Sequence, residues 1–267
     1  MNESLDTPRR PSTPITRRSM LLLGGAALAA SFNETFSRGL LQGRRIKAVA
    51  FDAFAIFDIR PVIAACESAF PGQGSNLSKE WRARQFEYQW LSALAGKYQD
   101  FWETTRNALK YAARSINLTL SDDTSDALMQ TYMHMTPWPD AAAALDHLKS
   151  SGKKTLLLSN ATEAILRSSL TSSGLQRSFD HVLSTDKIAT YKPDPRAYQM
   201  AIDRTGCGKQ EILFVAFAGW DAAGARWFGY PTFWNNRLGS VVEELGVRPD
   251  FEGASLDALT TLLELGS

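Results

Sequence analysis

The sequence predicts an α/β protein: a doubly wound, Rossmann-like parallel sheet core with an inserted helical cap subdomain. Three observations predict it. Short, continuous apolar runs recur along the chain, the length and composition of strands buried on both faces of a parallel sheet. The later runs alternate with amphipathic helical stretches, most of which stop at a glycine. One long stretch, residues 60–136, shows helical periodicity and no strand run at all.

The first element to be justified is a leader. The chain has 267 residues, with 29 Lys+Arg against 28 Asp+Glu. Five of the basic residues but only three of the acidic ones fall in residues 1–43, so a leader of +2 precedes a body of −1. Twin arginines, Arg17 and Arg18, stand before a modest apolar segment from Met20 to Ala30, which is too short to span a bilayer well. This is the pattern of a bacterial twin-arginine (Tat) export signal, with small residues at Ala27–Ala30 as a cleavage site. It predicts use of the Tat export machinery and a periplasmic or exported location. The balanced body argues against nucleic acid as a partner. Cys66 and Cys207 are too few for a disulfide scaffold, and His134, His147 and His181 lack ligand spacing, so no metal centre is expected.

The core is then read as residues 44–59 plus 137–267, with the cap at 60–136. The predicted strands are 46–51, 154–158, 179–183, 212–217 and a weaker 230–234. Helices are expected at 140–150, 162–173, 195–205 (opening on Pro195) and 221–228, with Gly152, Gly174, Gly206 and Gly229 as stops. In the cap, Phe86, Trp90 and Leu94 recur at spacing four. Trp102, Thr105, Leu109, Ala112 and Ile116 form a second stripe, and Leu128, Tyr132 and Met135 a third. Such helices leave a homodimer open as an assembly.

Ligands of open α/β sheets bind at the carboxyl ends of the strands. The polar residues expected there are Asp52, Ser159, Asn160, Lys192 and Asp221. Each alone has a plainer reading: Asp52 a turn residue, Ser159-Asn160 a helix cap, Lys192 a surface lysine, Asp221 another cap. Arg82, on a helix, reads alone as a solvated charge. Together they form a chemical set. One carboxylate can attack as a nucleophile, and a nearby lysine keeps it ionised and balances developing charge. A hydroxyl and an amide orient a carboxylate or an anion, and a second carboxylate holds the lysine or positions a water.

The order Asp, Ser-Asn, Lys-Pro-Asp, Asp along four strands resembles the haloacid dehalogenase superfamily. The stretches FDAFAIFD, AFPGQG, WRARQFEYQWL, LLLSNAT, YKPDPRAY, WDAAGARWFGYPTFWNNR and EELGVRPDF resemble its type II 2-haloacid dehalogenase branch, over about residues 44–252. The resemblance implies hydrolytic dehalogenation of a short 2-haloalkanoic acid. Asp52 would attack Cα and expel halide, water would hydrolyse the ester, and Lys192 and Asp221 would support both steps. Ser159 would bind the substrate carboxylate, and Arg82, with Asn160 and Trp220, the halide. Phe54 and Phe101 would wall the pocket, with Tyr198 in support, and no cofactor is implied.

Phosphatases of this superfamily carry a second Asp two residues after the nucleophile and use Mg²⁺. Phe54 stands there in this chain and can do neither job. An Mg-dependent phosphatase is therefore the rival reading, together with a non-catalytic binder of small carboxylates. The branch also carries a threonine four residues after the nucleophile, and a serine and an asparagine before the final aspartate. In this chain those positions are Ile56, Ala216 and Ala218, and the segment from Asp52 to Asp58 is one residue short.

Overall fold

The computed structural model describes residues 45–265, and the export-leader expectation lies outside them. Six parallel strands form one sheet: β1 (Ala48–Phe51), β2 (Lys154–Ser159), β3 (His181–Ser184), β4 (Ile212–Ala216), β5 (Thr232–Asn235) and β6 (Phe251–Gly253). Their order is β3-β2-β1-β4-β5-β6. The first strand in sequence is thus central, with Ala48 opposite Lys154 on one side and Ile212 on the other. Every residue of β1 is fully buried, because helices cover both faces.

Ten helices accompany the sheet among the described residues. They are α1 (Ala53–Ile56), α2 (Arg60–Ala69), α3 (Gly74–Leu94), α4 (Phe101–Ser115), α5 (Asp122–Gln130), α6 (Ala141–Ser150), α7 (Glu163–Ser172), α8 (Pro195–Thr205), α9 (Gly219–Phe228) and α10 (Leu256–Leu265). Helices α2–α5 lie between β1 and β2 in sequence. The chain leaves the sheet and returns at one point, where Asp58 N donates to Thr136 O and Trp138 N to Ile56 O, both at 2.8 Å. Pro195 opens α8, and Gly206 ends it in the left-handed region at φ 68°, where a side chain would be strained. One face of the sheet packs Ala50, Leu158, Phe214 and Ala216 against Tyr198 and Ala201 of α8 and Ala222 and Ala225 of α9. Each large apolar side chain buried there contributes about 1.5–3 kcal/mol of transfer free energy.

Three expectations need correction. The sheet has a sixth strand, β6, because three residues suffice when they pair with β5. The C-terminal helix α10 was also unread. In α3 the packed face is not the Phe86–Trp90–Leu94 stripe, since Leu94 is 86% exposed. It is Leu77, Trp81, Gln85 and Gln89. The two glutamines can be buried because both are bonded: Gln85 Nε2 donates to Thr105 Oγ1 at 2.6 Å, and Gln89 Oε1 accepts from Asn160 at 3.1 Å.

Candidate active site

Strand β1 ends at Phe51 and delivers Asp52 to the carboxyl edge of the sheet. There it caps the single turn α1, with Oδ2 accepting from Phe54 N at 3.1 Å. The turn reading of Asp52 is therefore true, and it leaves Oδ1 available. Oδ1 accepts from Lys192 Nζ at 2.8 Å. The same ammonium donates to Asp221 Oδ2 at 2.6 Å and to Leu158 O at 3.3 Å. All three protons of the lysine are engaged, so it is a fixed cation. It is 1% exposed, against its plain reading as a surface lysine.

Lys192 does not follow its strand directly. It comes eight residues after the end of β3, beyond a 3-10 turn (Thr185–Ile188), on the loop before α8. Asp221 is not an N-cap. It sits in the first turn of α9, whose cap is Ala218. Its Oδ1 accepts from Tyr198 Oη at 2.8 Å. Gly224 lets the tyrosine in, since a Cβ there would collide with the hydroxyl and stand 2.7 Å from Pro193 Cβ. Burial pushes the Asp221 carboxyl up to about 6, with Asp52 adding to the rise and Lys192 opposing it. Burial also pulls on the Lys192 ammonium, but Asp221 and Asp52 outweigh it and hold the group above its ordinary value. Burial and the two carboxylates drive Tyr198 well above the usual phenol range, so it stays a donor. The cluster holds one cation and two carboxylates, and only Asp52, with its side chain 12% exposed, is open to an incoming molecule.

Ser159 ends β2, buried, and its Oγ accepts from Ala161 N at 3.1 Å. The cap of α7 is Thr162 instead, which accepts from Ile165 N at 3.4 Å. Asn160 Oδ1 accepts from Lys192 N at 2.8 Å, which ties it to the lysine loop.

Arg82 comes from α3 and is not a solvated charge. Its guanidinium stands 5.3 Å from the ring centroid of Phe54, 5.1 Å from Phe86 and 5.9 Å from Phe217. Its Nη1 is buried without a hydrogen-bond partner among the described residues, as is Trp220 Nε1. Burial lowers the Arg82 pKa, against the pull of Tyr132 and Asp52. A cavity of about 400 Å³ between α2, α3 and the loop after β5 reaches Arg82, Phe217 and Trp220 but not Asp52.

Phe101, Phe54 and Asn160 are not on that cavity. Phe101 packs edge-on against Tyr132 at 5.7 Å, and Tyr132 itself forms the wall. Sequence reading also missed Phe86 and Phe217, which flank Arg82, and Trp90, whose ring meets Trp220 at 5.4 Å. It missed Gln89 because a glutamine carries no hydrophobic signal. Phe217 was legible only as the tail of an apolar run.

A parallel α/β sheet whose carboxyl ends carry a slightly accessible carboxylate, fixed by a buried lysine and a second carboxylate, is the arrangement of an α/β hydrolase. A sequence model of the haloacid dehalogenase-like hydrolases matches residues 28–229, and the chain belongs to that family. The (S)-2-haloacid dehalogenase of Pseudomonas sp. (strain YL) is 40% identical over 220 residues, covering 82% of this chain and 95% of that one. The haloacetate dehalogenase H-2 of Moraxella sp. (strain B) is 36% identical over 221 residues, covering 82% and 99%. Among solved structures, the L-2-haloacid dehalogenase of Xanthobacter autotrophicus with chloropropionic acid covalently bound superposes with a TM-score of 0.76. It is 34% identical, and the match covers 82% of this chain and 98% of that one.

Proposed function

We propose that the protein hydrolyses the carbon–halogen bond of a short 2-haloalkanoic acid through an aspartyl ester. The observation that carries the reading is Asp52, slightly accessible and held by Lys192, within electrostatic reach of an Arg82 guanidinium that has no carboxylate partner of its own. The Asp52 carboxylate attacks Cα, and the C–X electron pair leaves with the halide toward Arg82, Asn160 and Trp220. Ser159 and neighbouring amides orient the substrate carboxylate. Water then attacks the ester carbonyl carbon, and Asp221, ionised above about pH 6 and bonded to Lys192 and Tyr198, supports the step through the lysine. The acyl–oxygen bond breaks, one water proton passes to the departing alkoxide and the other leaves as Asp52 reionises; the alkyl–oxygen bond survives, so the product 2-hydroxy acid carries Cα inverted and the water oxygen remains on Asp52. Phe54, two residues after the nucleophile, can neither protonate a leaving alkoxide nor ligate Mg²⁺, which disfavours the phosphatase reading.

The same proposal takes residues 60–136 as a helical cap, residues 1–43 as a Tat export leader, and the location as periplasmic or exported. A homodimer remains the proposed assembly. One observation favours a second reading, a binder of small carboxylates without turnover. Ile56, Ala216 and Ala218 stand where the branch has polar groups, and all three are apolar beside the nucleophile. Halide release from 2-chloropropionate or chloroacetate, with an Asp52→Asn control, separates the two. Mass spectrometry after turnover in H₂¹⁸O is expected to find label in the Asp52 carboxylate. No release above the control sinks the dehalogenase reading, and a ligand-induced thermal shift in that case favours the binder.

A further inference from the structure

Helix α3 brings more to this site than Arg82. Two of its consecutive residues act on the backbone of Lys192, Trp90 directly and Gln89 through Asn160. Trp90 Nε1 donates to the Lys192 carbonyl at 3.0 Å, across 102 residues of sequence. On the other side, the Lys192 N–H donates to Asn160 Oδ1 at 2.8 Å. The orientation of the Asn160 amide is fixed in turn, because its Nδ2 donates to Gln89 Oε1 at 3.1 Å. Thr185 Oγ1 adds a longer bond to the same Asn160 oxygen at 3.4 Å. Gln89 is fully buried, and its Nε2 has no partner among the described residues. A buried amide with half of its groups unbonded is an expensive way to pack a helix. The bond it does make is the one that orders Asn160. Trp90 is likewise held in place, stacked on Phe86 and edge-on to Trp220.

We propose that Gln89 and Trp90 are positioning residues for Lys192. Neither touches the reacting atoms. Trp90 fixes the carbonyl side of Lys192 and Gln89, by ordering Asn160, fixes its N–H side, so that the ammonium stays within 2.6–2.8 Å of Asp221 and Asp52. The inference rests on the dehalogenase reading for the role of Lys192, while the grip itself is a matter of geometry.

The test uses the full chain with Gln89→Met, which keeps the volume and removes the acceptor, and Trp90→Phe, which keeps a stacking ring and removes the donor. Gln89→Glu restores an acceptor. Halide release from 2-bromopropionate is measured across pH, and deuterium uptake is followed in the peptide spanning Tyr191 and Lys192. In Gln89→Met and Trp90→Phe, kcat is expected to fall about tenfold with KM changed less than about twofold, a scale set by the cost of small misplacements. The acid limb of the pH profile moves upward, because a retracted lysine no longer holds the carboxylates ionised. Lys192 amide exchange accelerates in Gln89→Met, and Gln89→Glu recovers most of kcat. A lower melting temperature with an unaltered pH limb and kcat would mean that the pair only packs the helix, and overturns the proposal. Unchanged Lys192 exchange in Gln89→Met overturns it too, as does a Gln89→Glu variant no better than Gln89→Met. If the wild type releases no halide from any 2-haloacid, the dehalogenase reading fails, and the exchange measurement still decides whether the grip exists.

Discussion

Arg82 and Arg84 stand two residues apart on α3 and live in opposite electrostatic worlds. Arg84 reaches Glu87 at 2.5 Å and Glu80 at 3.5 Å, and lies 4.0 Å from the Tyr111 ring centroid. Burial is the largest single influence and lowers its pKa, but Glu87, Tyr111 and Glu80 together outweigh this and raise it. Arg82 meets three phenylalanine rings and no carboxylate, and burial lowers its pKa. A cation surrounded by its own counter-ions has a structural task. One denied them, at the wall of a cavity, keeps its attraction for an anion that arrives from outside.

The largest expected effect tests that contrast directly. Arg82→Met is expected to lower the rate of halide release by about 10²–10³-fold, the cost of removing one preorganised donor at a developing charge. Its melting temperature should hold or rise, because a buried, carboxylate-free cation is gone. A variant with near-native turnover would break the comparison.

The second effect concerns the excess negative charge below Arg82. Asp221 titrates near 6 in the folded protein, above its ordinary 3.8. Between those values the folded state binds more protons than the unfolded one, so ionising Asp221 lowers stability as pH rises from about 4 to 6. The rate of halide release should therefore fall below about pH 6, and a pH–rate profile checks it. Asp221→Asn should slow turnover by about 10²-fold yet melt no lower than the wild type at pH 7, since Lys192 then faces one carboxylate instead of two.

The smallest effect falls on the other arginine. Arg84→Ala should leave halide release within about twofold and lower the melting temperature by about 2 °C or less, with the loss shrinking at high salt. A larger loss of activity would show that the exposed ion network also shapes the site.

Much of this site was legible in the sequence, for a physical reason. Asp52, Ser159, Asn160 and Asp221 each follow or neighbour an apolar run, and a parallel sheet sends all such run ends to one edge, whereas Lys192, eight residues beyond β3, was legible mainly through the resemblance of YKPDPRAY. The glycine stops were legible because Gly206 and Gly229 need the left-handed region. What stayed hidden had no hydrophobic signature. Gln85 and Gln89 form a packed helix face through specific hydrogen bonds, which periodicity cannot detect. Phe101 looked like a pocket wall, but which of two neighbouring aromatics faces the cavity depends on tertiary packing, and Tyr132 takes that place. Strand β6 is only three residues long, too short for a pattern.

The central position of β1 has a consequence in time. The ribosome makes Asp52 early, but it meets Lys192 only 140 residues later, and β1 finds its second neighbour only when β4 exists. Contacts of such sequence separation close slowly and late. The emerging chain therefore carries an aspartate whose lysine does not yet exist. Reactivity switches on with the last stages of folding, when the middle of the sheet is sealed.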